Sequence, residues 1–390
     1  MTHDPGGRTA RLTSIDTLRG GVMILMALDH VRDYFGAPGL NPLNLAQTTV
    51  PLFLTRWITH LCAPTFFLLT GTGASLALGR RTIPELSRFL LARGLWLIVL
   101  ELTVIRCLGY QFNADYKVTM LVVIWALGWS MVVLSALVRL PSSAILAFAL
   151  LTIAGHNLLD GFRSAHPVWV ILHSPGFVVN RPGFVVFAAY PLVPWIAVTA
   201  AGYALGRIYR WDAEPRRTFL LRGGLLAVTA FAILRGANVY GDPARWATQA
   251  SSAMTVVSFL NVTKYPPSLL FLLMTLGPAL LLLRALDRGT PPLLRPAQIF
   301  GQVPLFYFVL HLTLIHLLAV ALCYAWNGSA HWMFESPDLG AYPFTTPPGW
   351  GVPLPWTYAI WVAIVAMLYP VCAWYAAVKR RYRGPWLSYL

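Results

Sequence analysis

Residues 14 to 30 read SIDTLRGGVMILMALDH, an apolar stretch of nearly the length that a membrane-spanning helix needs. It begins with Asp16 and Arg19 and ends with Asp29 and His30. Ionisable side chains inside a membrane span are costly, so each one indicates either a functional group or a structural ion pair. The role of these four ionisable residues therefore indicates the function of the first helix.

The rest of the chain is similarly apolar. Of its 390 residues 57% are hydrophobic and only 11% are charged, against about 25% charged in soluble domains. The net charge of +15 comes from short clusters of Lys and Arg between apolar runs, which is typical of membrane anchoring. The cysteines have no CxxC spacing, so neither a zinc site nor a redox motif is indicated. These features predict a polytopic membrane protein that binds no nucleic acid.

Ten apolar runs are long enough to cross a bilayer as helices. They lie near residues 15–36, 51–78, 89–110, 118–138, 142–159, 184–208, 218–237, 266–286, 299–325 and 355–378. Basic residues concentrate in alternate connections, and this asymmetry places both termini in the cytoplasm. We therefore predict an all-α transmembrane bundle of about ten spans, with residues 1–390 forming a single domain.

The ionisable residues of the first helix share one face. At about 100° per residue, six side chains fall on a single stripe: Asp16, Arg19, Met23, Met26, His30 and Asp33. Arg19 and His30 are separated by about 16 Å along the helix axis. Asp16 and Arg19 have the i, i+3 spacing of an ion pair. His30 is not needed to pack a helix end, and we interpret it as a catalytic base that is oriented by Asp29 or Asp33.

Two further histidines extend this hypothesis. His60 and His311 fall in the same half of the predicted bundle as His30. We include both as alternative catalytic residues, because intramembrane histidines are candidates for proton transfer. The glycine-rich stretch GTGASLALG at 71–79 is interpreted separately, as a site of close helix packing.

The same residues resemble known membrane acyltransferases. The first helix, with Asp-x-x-Arg-Gly and then a histidine, resembles the enzymes that O-acetylate surface polysaccharides, in which this histidine is catalytic. The chain is more similar to bacterial relatives of heparan-alpha-glucosaminide N-acetyltransferase, through stretches such as APTFFLLTGTGASLALGRR at 63–81 and GQVPLFYFVLHLTLIH at 301–316. The eukaryotic enzyme has Asn at the position of His30 and its catalytic histidine in the first outer loop. Residues 37–56 here contain no histidine, which leaves His30 as the candidate base.

The resemblance implies acetyl-CoA as the donor, supplied from the cytoplasm, and a glycan or small-molecule acceptor on the outer side of the membrane. Arginine suits the bidentate binding of phosphate. The residues expected to bind the donor are Arg19, Arg80, Arg81, Asn113 and Gln302, with Arg88, Arg93 and Arg207 as further basic residues. The candidate donors to the reaction's oxyanion are Asn113, Gln302, Tyr307 and His311.

The resemblance further implies a bacterial cytoplasmic (inner) membrane, with membrane lipids as partners and no metal cofactor. A homodimer is left open, as is the choice between direct transfer and an acyl-histidine intermediate. The alternative function is a proton-coupled transporter or flippase of a glycan or lipid, with the buried charges as a proton relay. The sequence shows no inverted repeat, which disfavours this alternative.

Overall fold

The computed structural model describes residues 12–336, 339 and 343–382, and it is predominantly helical. Within these ranges, six helical segments are long and apolar enough to cross a membrane: Val50–Ala77, Ser142–Leu159, Ala213–Ala237, Leu269–Leu286, Pro304–Asn327 and Leu354–Arg381. The prediction of a helical membrane protein is confirmed at this level. The two chain ends, residues 1–11 and 383–390, lie outside the described residues.

The α-helices of the described chain are numbered in order. They are α1 Thr13–Phe35, α2 Val50–Thr59, α3 Cys62–Ala77, α4 Ile83–Leu100, α5 Val123–Leu137, α6 Ser142–Gly155, α7 Pro167–Leu172, α8 Leu192–Leu205, α9 Ala213–Ala237, α10 Ser252–Leu260, α11 Leu269–Leu286, α12 Arg295–Gln302, α13 Pro304–Asn327 and α14 Leu354–Arg381. A π-helix over Glu101–Tyr110 continues α4. α9 is one of the six candidate spans and agrees with the span predicted at 218–237, whereas α1 coincides with the run at 15–36 but is not among the six.

The all-α prediction is wrong in one region. Strands β1 (Val118–Leu121), β2 (Gly176–Arg181) and β3 (Phe184–Ala188) form a sheet in which β3 pairs in parallel with β1 and antiparallel with β2. A turn at Pro182 and Gly183 joins β2 to β3, and the φ of 74° at Gly183 is one that glycine adopts without strain. The sequence predicts β1 and β3 as the first turns of membrane helices, because short apolar runs have no periodicity that separates strand from helix.

α1 is held in place by an unusually close contact with α12. A Cβ atom on Gly20 would lie 1.6 Å from the carbonyl oxygen of Ala297, and one on Gly301 would lie 1.9 Å from that of Asp16. Only glycine therefore fits at these two positions. The contact also brings the side chain of Arg19 to the carbonyl oxygen of Gly301, which it reaches with a 2.9 Å hydrogen bond from Nη1.

The predicted close packing at the glycine-rich stretch is confirmed by the contact between α3 and α8. A Cβ atom on Gly71 would lie 1.9 Å from the carbonyl oxygen of Thr199, and one on Gly202 would lie 2.0 Å from that of Leu68. Small residues thus allow the two helix backbones to touch. α3 in turn packs against α1, which fixes the walls on either side of the ionisable stripe.

The two ends of α1 define two faces of the molecule. We call them the Arg19 face, at the beginning of α1, and the His30 face, at its end. The turn between α3 and α4, with the exposed side chains of Arg80 and Arg81, lies at the Arg19 face. The sheet and the segment at 264–265 lie at the His30 face.

Candidate active site

A cavity of about 480 Å³ lies at the His30 face, and we call it the His30 cavity. Its walls come from the end of α1, from α2, α3 and α5, from the sheet, and from the segment between α10 and α11. Most of the lining is apolar, with a few ionisable groups that converge from distant parts of the chain. These groups are Asp29, His30, Arg32, Asp33, Arg56 and Lys264.

The carboxylates beside His30 are held by arginines. Asp29 Oδ2 accepts a hydrogen bond from Arg56 Nη1 of α2, and Asp29 Oδ1 lies 3.0 Å from Arg32 Nη2. The same Arg32 nitrogen donates a hydrogen bond to Asp33 Oδ1. Within the described residues, neither carboxylate is hydrogen-bonded to the ring of His30. The structure thus places both predicted partners next to His30 but assigns their strongest contacts to cations.

Aromatic rings surround His30. Its ring centre lies 6.1 Å from that of Tyr110, 6.4 Å from that of Phe308 and 5.2 Å from that of His311. His311 is fully buried, and its Nδ1 lies 3.0 Å from the carbonyl oxygen of Tyr307. A carbonyl only accepts, so Nδ1 of His311 carries a proton and donates it. Nε2 of His311 has no hydrogen-bond partner among the described residues. Two of the predicted histidines are therefore neighbours, but His30 lines the cavity and His311 does not.

Three other predicted residues lie away from this cavity. His60 is fully buried, and its ring packs against Phe271 with centres 5.3 Å apart. Asn113 accepts hydrogen bonds from Arg106 in the connection after the π-helix. Gln302 ends α12 at the Arg19 face, where it accepts a hydrogen bond from Arg380. None of the three lines the His30 cavity.

A second cavity, of about 260 Å³, lies towards the Arg19 face, and we call it the Arg19 cavity. Its basic lining residues are Arg19 of α1 and Arg93 of α4. Arg19 also forms a 3.3 Å ion pair with Asp16, as the spacing predicts. Arg80 and Arg81 are exposed in the nearby turn and do not line the cavity. The structure thus brings Arg19 together with one of the further basic residues, Arg93.

The two cavities share a wall. Four apolar side chains line both of them, and we call this set the partition: Phe66, Ile124, Leu127 and Phe308. Phe308 also contacts the ring of His30. The cavities are therefore arranged end to end along α1, with arginines on one side of an apolar partition and His30 on the other.

Residues 11–237 match the catalytic domain of heparan-alpha-glucosaminide N-acetyltransferase. This match covers more than half of the chain. The chain belongs to this acetyltransferase family. The matched segment includes Asp29, His30, Arg56 and Arg93, whereas Lys264 lies beyond it. No curated protein matches the chain.

Sequence reasoning missed Arg32, Arg56 and Lys264 as residues of the site. A signal was present for Arg56, which lies in the apolar run VPLFLTRWIT and is therefore an ionisable residue within a membrane span. Lys264 lies in the stretch NVTKYPPS, between two predicted spans, where a lysine does not by itself indicate a functional site. The three-dimensional structure is needed to show that Lys264 lines the same cavity as His30.

Proposed function

We propose that this protein transfers an acetyl group from acetyl-CoA, bound in the Arg19 cavity, to a hydroxyl or amine acceptor bound in the His30 cavity. The observation that carries the proposal is the end-to-end arrangement of the two cavities across the partition. Membership of an acetyltransferase family supports the reaction type. An acetyl group is the only part of the donor that has to reach the His30 side.

The donor's charges fit the Arg19 cavity. CoA phosphates are anions that arginine binds through parallel hydrogen bonds, and Arg19 and Arg93 line this cavity. The pantetheine arm is thin and mostly uncharged, so it suits the apolar passage along α1. Movement of Phe66 and Phe308 in the partition would admit the thioester to the His30 side.

His30 is the proposed general base. It removes the proton from the acceptor's hydroxyl or amine as that group attacks the thioester carbonyl. The tetrahedral intermediate then collapses, the C–S bond breaks, and the CoA sulfur takes the proton from His30. None of the four predicted oxyanion donors lines the cavity. We therefore assign the oxyanion to hydroxyl groups that line it, of which Tyr110 is in ring contact with His30.

The membrane topology follows the basic residues. We propose about ten spans, with both termini and the Arg19 face in the cytoplasm of a bacterial cell and the His30 face outside its inner membrane. Arginines are concentrated at the Arg19 face in the turn with Arg80 and Arg81 and near the end of α14 at Arg380 and Arg381. This orientation gives the Arg19 cavity access to cytoplasmic acetyl-CoA.

Cysteine labelling in intact cells tests this orientation. A cysteine introduced as Arg81→Cys should react with a membrane-impermeant maleimide only after the cells are permeabilised. The matched control is Arg163→Cys, an equally exposed position on the opposite face, which should react in intact cells. The unmodified protein gives the background, because three of its four cysteines are buried. Labelling of Arg81→Cys in intact cells would contradict the proposed cytoplasmic position of the Arg19 face.

Donor binding depends on the cavity arginines. Replacing Arg19 or Arg93 with alanine should weaken acetyl-CoA binding, each lost charge-assisted contact costing on the order of 1.5–3 kcal/mol. Titration calorimetry on the purified protein measures the affinity. Arg88→Ala is the matched control, because Arg88 lies on the same helix as Arg93 but is exposed and lines no part of the cavity. Equal acetyl-CoA affinity in all three variants would mean that Arg19 and Arg93 do not bind the donor.

Transport is the second candidate function, since two cavities on opposite sides of a partition also suit alternating access. Purified protein incubated with acetyl-CoA labelled in its acetyl group, and with glucosamine as the acceptor probe, separates the two. We expect labelled N-acetylglucosamine to form. Movement of the sugar into liposomes without CoA, and without acetylation, would favour the transporter.

A further inference from the structure

Lys264 is a buried cation in the His30 cavity. It lies between α10 and α11, is only 6% exposed and lines the cavity. Within the described residues no carboxylate forms an ion pair with its ammonium group. Its Nζ atom lies 5.1 Å from the ring centre of Tyr265, which lines the same cavity.

The other two cations of the cavity are balanced. Arg56 is paired with Asp29, and Arg32 is paired with both Asp29 and Asp33. Three cations and two carboxylates therefore leave one positive charge among the ionisable lining residues when His30 is neutral. A buried cation without a counter-charge is strongly unfavourable. An anion that enters the cavity would balance this remaining charge.

We propose that Lys264 binds an acidic group of the acceptor, a carboxylate, phosphate or sulfate, and so selects an anionic acceptor. This inference rests on the proposed function, because it names the substrate class of the same cavity. The donor's phosphates are assigned to Arg19 and Arg93, beyond the partition, so the acceptor is the molecule left to supply the anion. The hydroxyls of Tyr190 and Tyr265, 3.5 Å apart in the same wall, add hydrogen-bonding groups for a polar acceptor.

Matched acceptors test the proposal. Glucosamine and glucosamine 6-phosphate are compared as acceptor probes with acetyl-CoA, on the full-length protein in detergent. The phosphorylated sugar should have the higher kcat/KM by about tenfold or more, the usual value of a charge-assisted contact. Lys264→Met should remove this preference, Lys264→Arg should keep most of it, and Lys117→Met, at an exposed lysine outside the cavity, should leave it unchanged. A preference that survives in Lys264→Met would overturn the proposal.

A binding measurement without acetyl-CoA separates this proposal from the proposed function. Lys264-dependent binding of glucosamine 6-phosphate, with no acetyl transfer to it, would support the anion site and contradict the acetyltransferase reaction. Equal acetyl transfer to both sugars, unchanged in Lys264→Met, would support the reaction and overturn the anion site. Inorganic phosphate is the third probe. If it binds as tightly as the phosphorylated sugar, the assignment to the acceptor is overturned.

Discussion

Replacing His30 with alanine should lower the rate of acetyl transfer by about 10²–10⁴-fold, the usual loss when a general base is removed. Acetyl-CoA binding should be preserved, because His30 lines the His30 cavity and the proposed site of the donor's phosphates lies on the other side of the partition. Single-turnover rates with acetyl-CoA and glucosamine measure the first effect. Calorimetry with acetyl-CoA measures the second.

The control for this variant is another buried histidine. His60 lies outside both cavities, so His60→Ala should keep the transfer rate if the variant remains folded. If His30→Ala keeps a near-normal rate instead, His30 is not the base. His311, whose ring centre lies 5.2 Å from that of His30, is then the next candidate for the base.

Replacing Asp29 with alanine should destabilise the protein by about 3–5 kcal/mol, as expected when one member of a buried ion pair is removed. Its carboxylate is bound by two arginines, and the side chains of Asp29 and Arg56 are 14% and 9% exposed. The variant leaves the buried guanidinium of Arg56 without its carboxylate. Denaturant unfolding in detergent measures the change in the free energy of unfolding.

Asp33→Ala is the matched control. The Asp33 carboxylate is 42% exposed and, among the described residues, forms an ion pair only with Arg32, so its loss should cost only about 0–1 kcal/mol. A second variant keeps the test independent of side-chain size. Asp29→Asn combined with Arg56→Met should be more stable than Asp29→Asn alone, because the buried guanidinium that loses its carboxylate is removed as well. Equal stability of the Asp29 and Asp33 variants would contradict the ion-pair assignment.

The stripe on α1 could be predicted because it depends on one helix only. Regular helix geometry fixes that Arg19 and His30 share a face about 16 Å apart, whatever surrounds them. The structure places these two residues in different cavities, one on each side of the partition. The ion pair between Asp16 and Arg19 is equally local and could be predicted from the i, i+3 spacing.

The contributions of Arg56 and Lys264 to the cavity could not be predicted in the same way. Arg56 and Lys264 reach the cavity from other elements, and their positions depend on how α2 and the segment before α11 pack against α1. The local rule favours Asp29 or Asp33 as partner of His30. In the structure Arg32 of α1 pairs with both carboxylates, and Arg56 of α2 pairs with Asp29 as well. Asn113 and Gln302 fail as cavity residues for a related reason, since each is bound by an arginine elsewhere, Arg106 and Arg380.

The sheet shows a different limit. FVVNRPGFVVF at 177–187 has two β-branched runs on either side of a Pro-Gly turn, which is a hairpin signal at short range. In a chain this apolar, the same residues also satisfy the hydropathy of a membrane span. The parallel pairing of β3 with β1 brings together residues far apart in sequence, and this sheet supplies Phe187 and Met120 to the cavity wall.

Acetyl transfer across a sealed bilayer tests the central claim most directly. The Arg81→Cys variant is reconstituted in liposomes, and its orientation is determined by maleimide labelling. Acetyl-CoA with a labelled acetyl group is then added on the Arg19 side. Glucosamine is enclosed on the His30 side. The two-cavity arrangement predicts labelled N-acetylglucosamine on the His30 side while CoA stays with the donor, and no such transfer in His30→Ala. Transfer that occurs only when donor and acceptor share one side of the bilayer would contradict it.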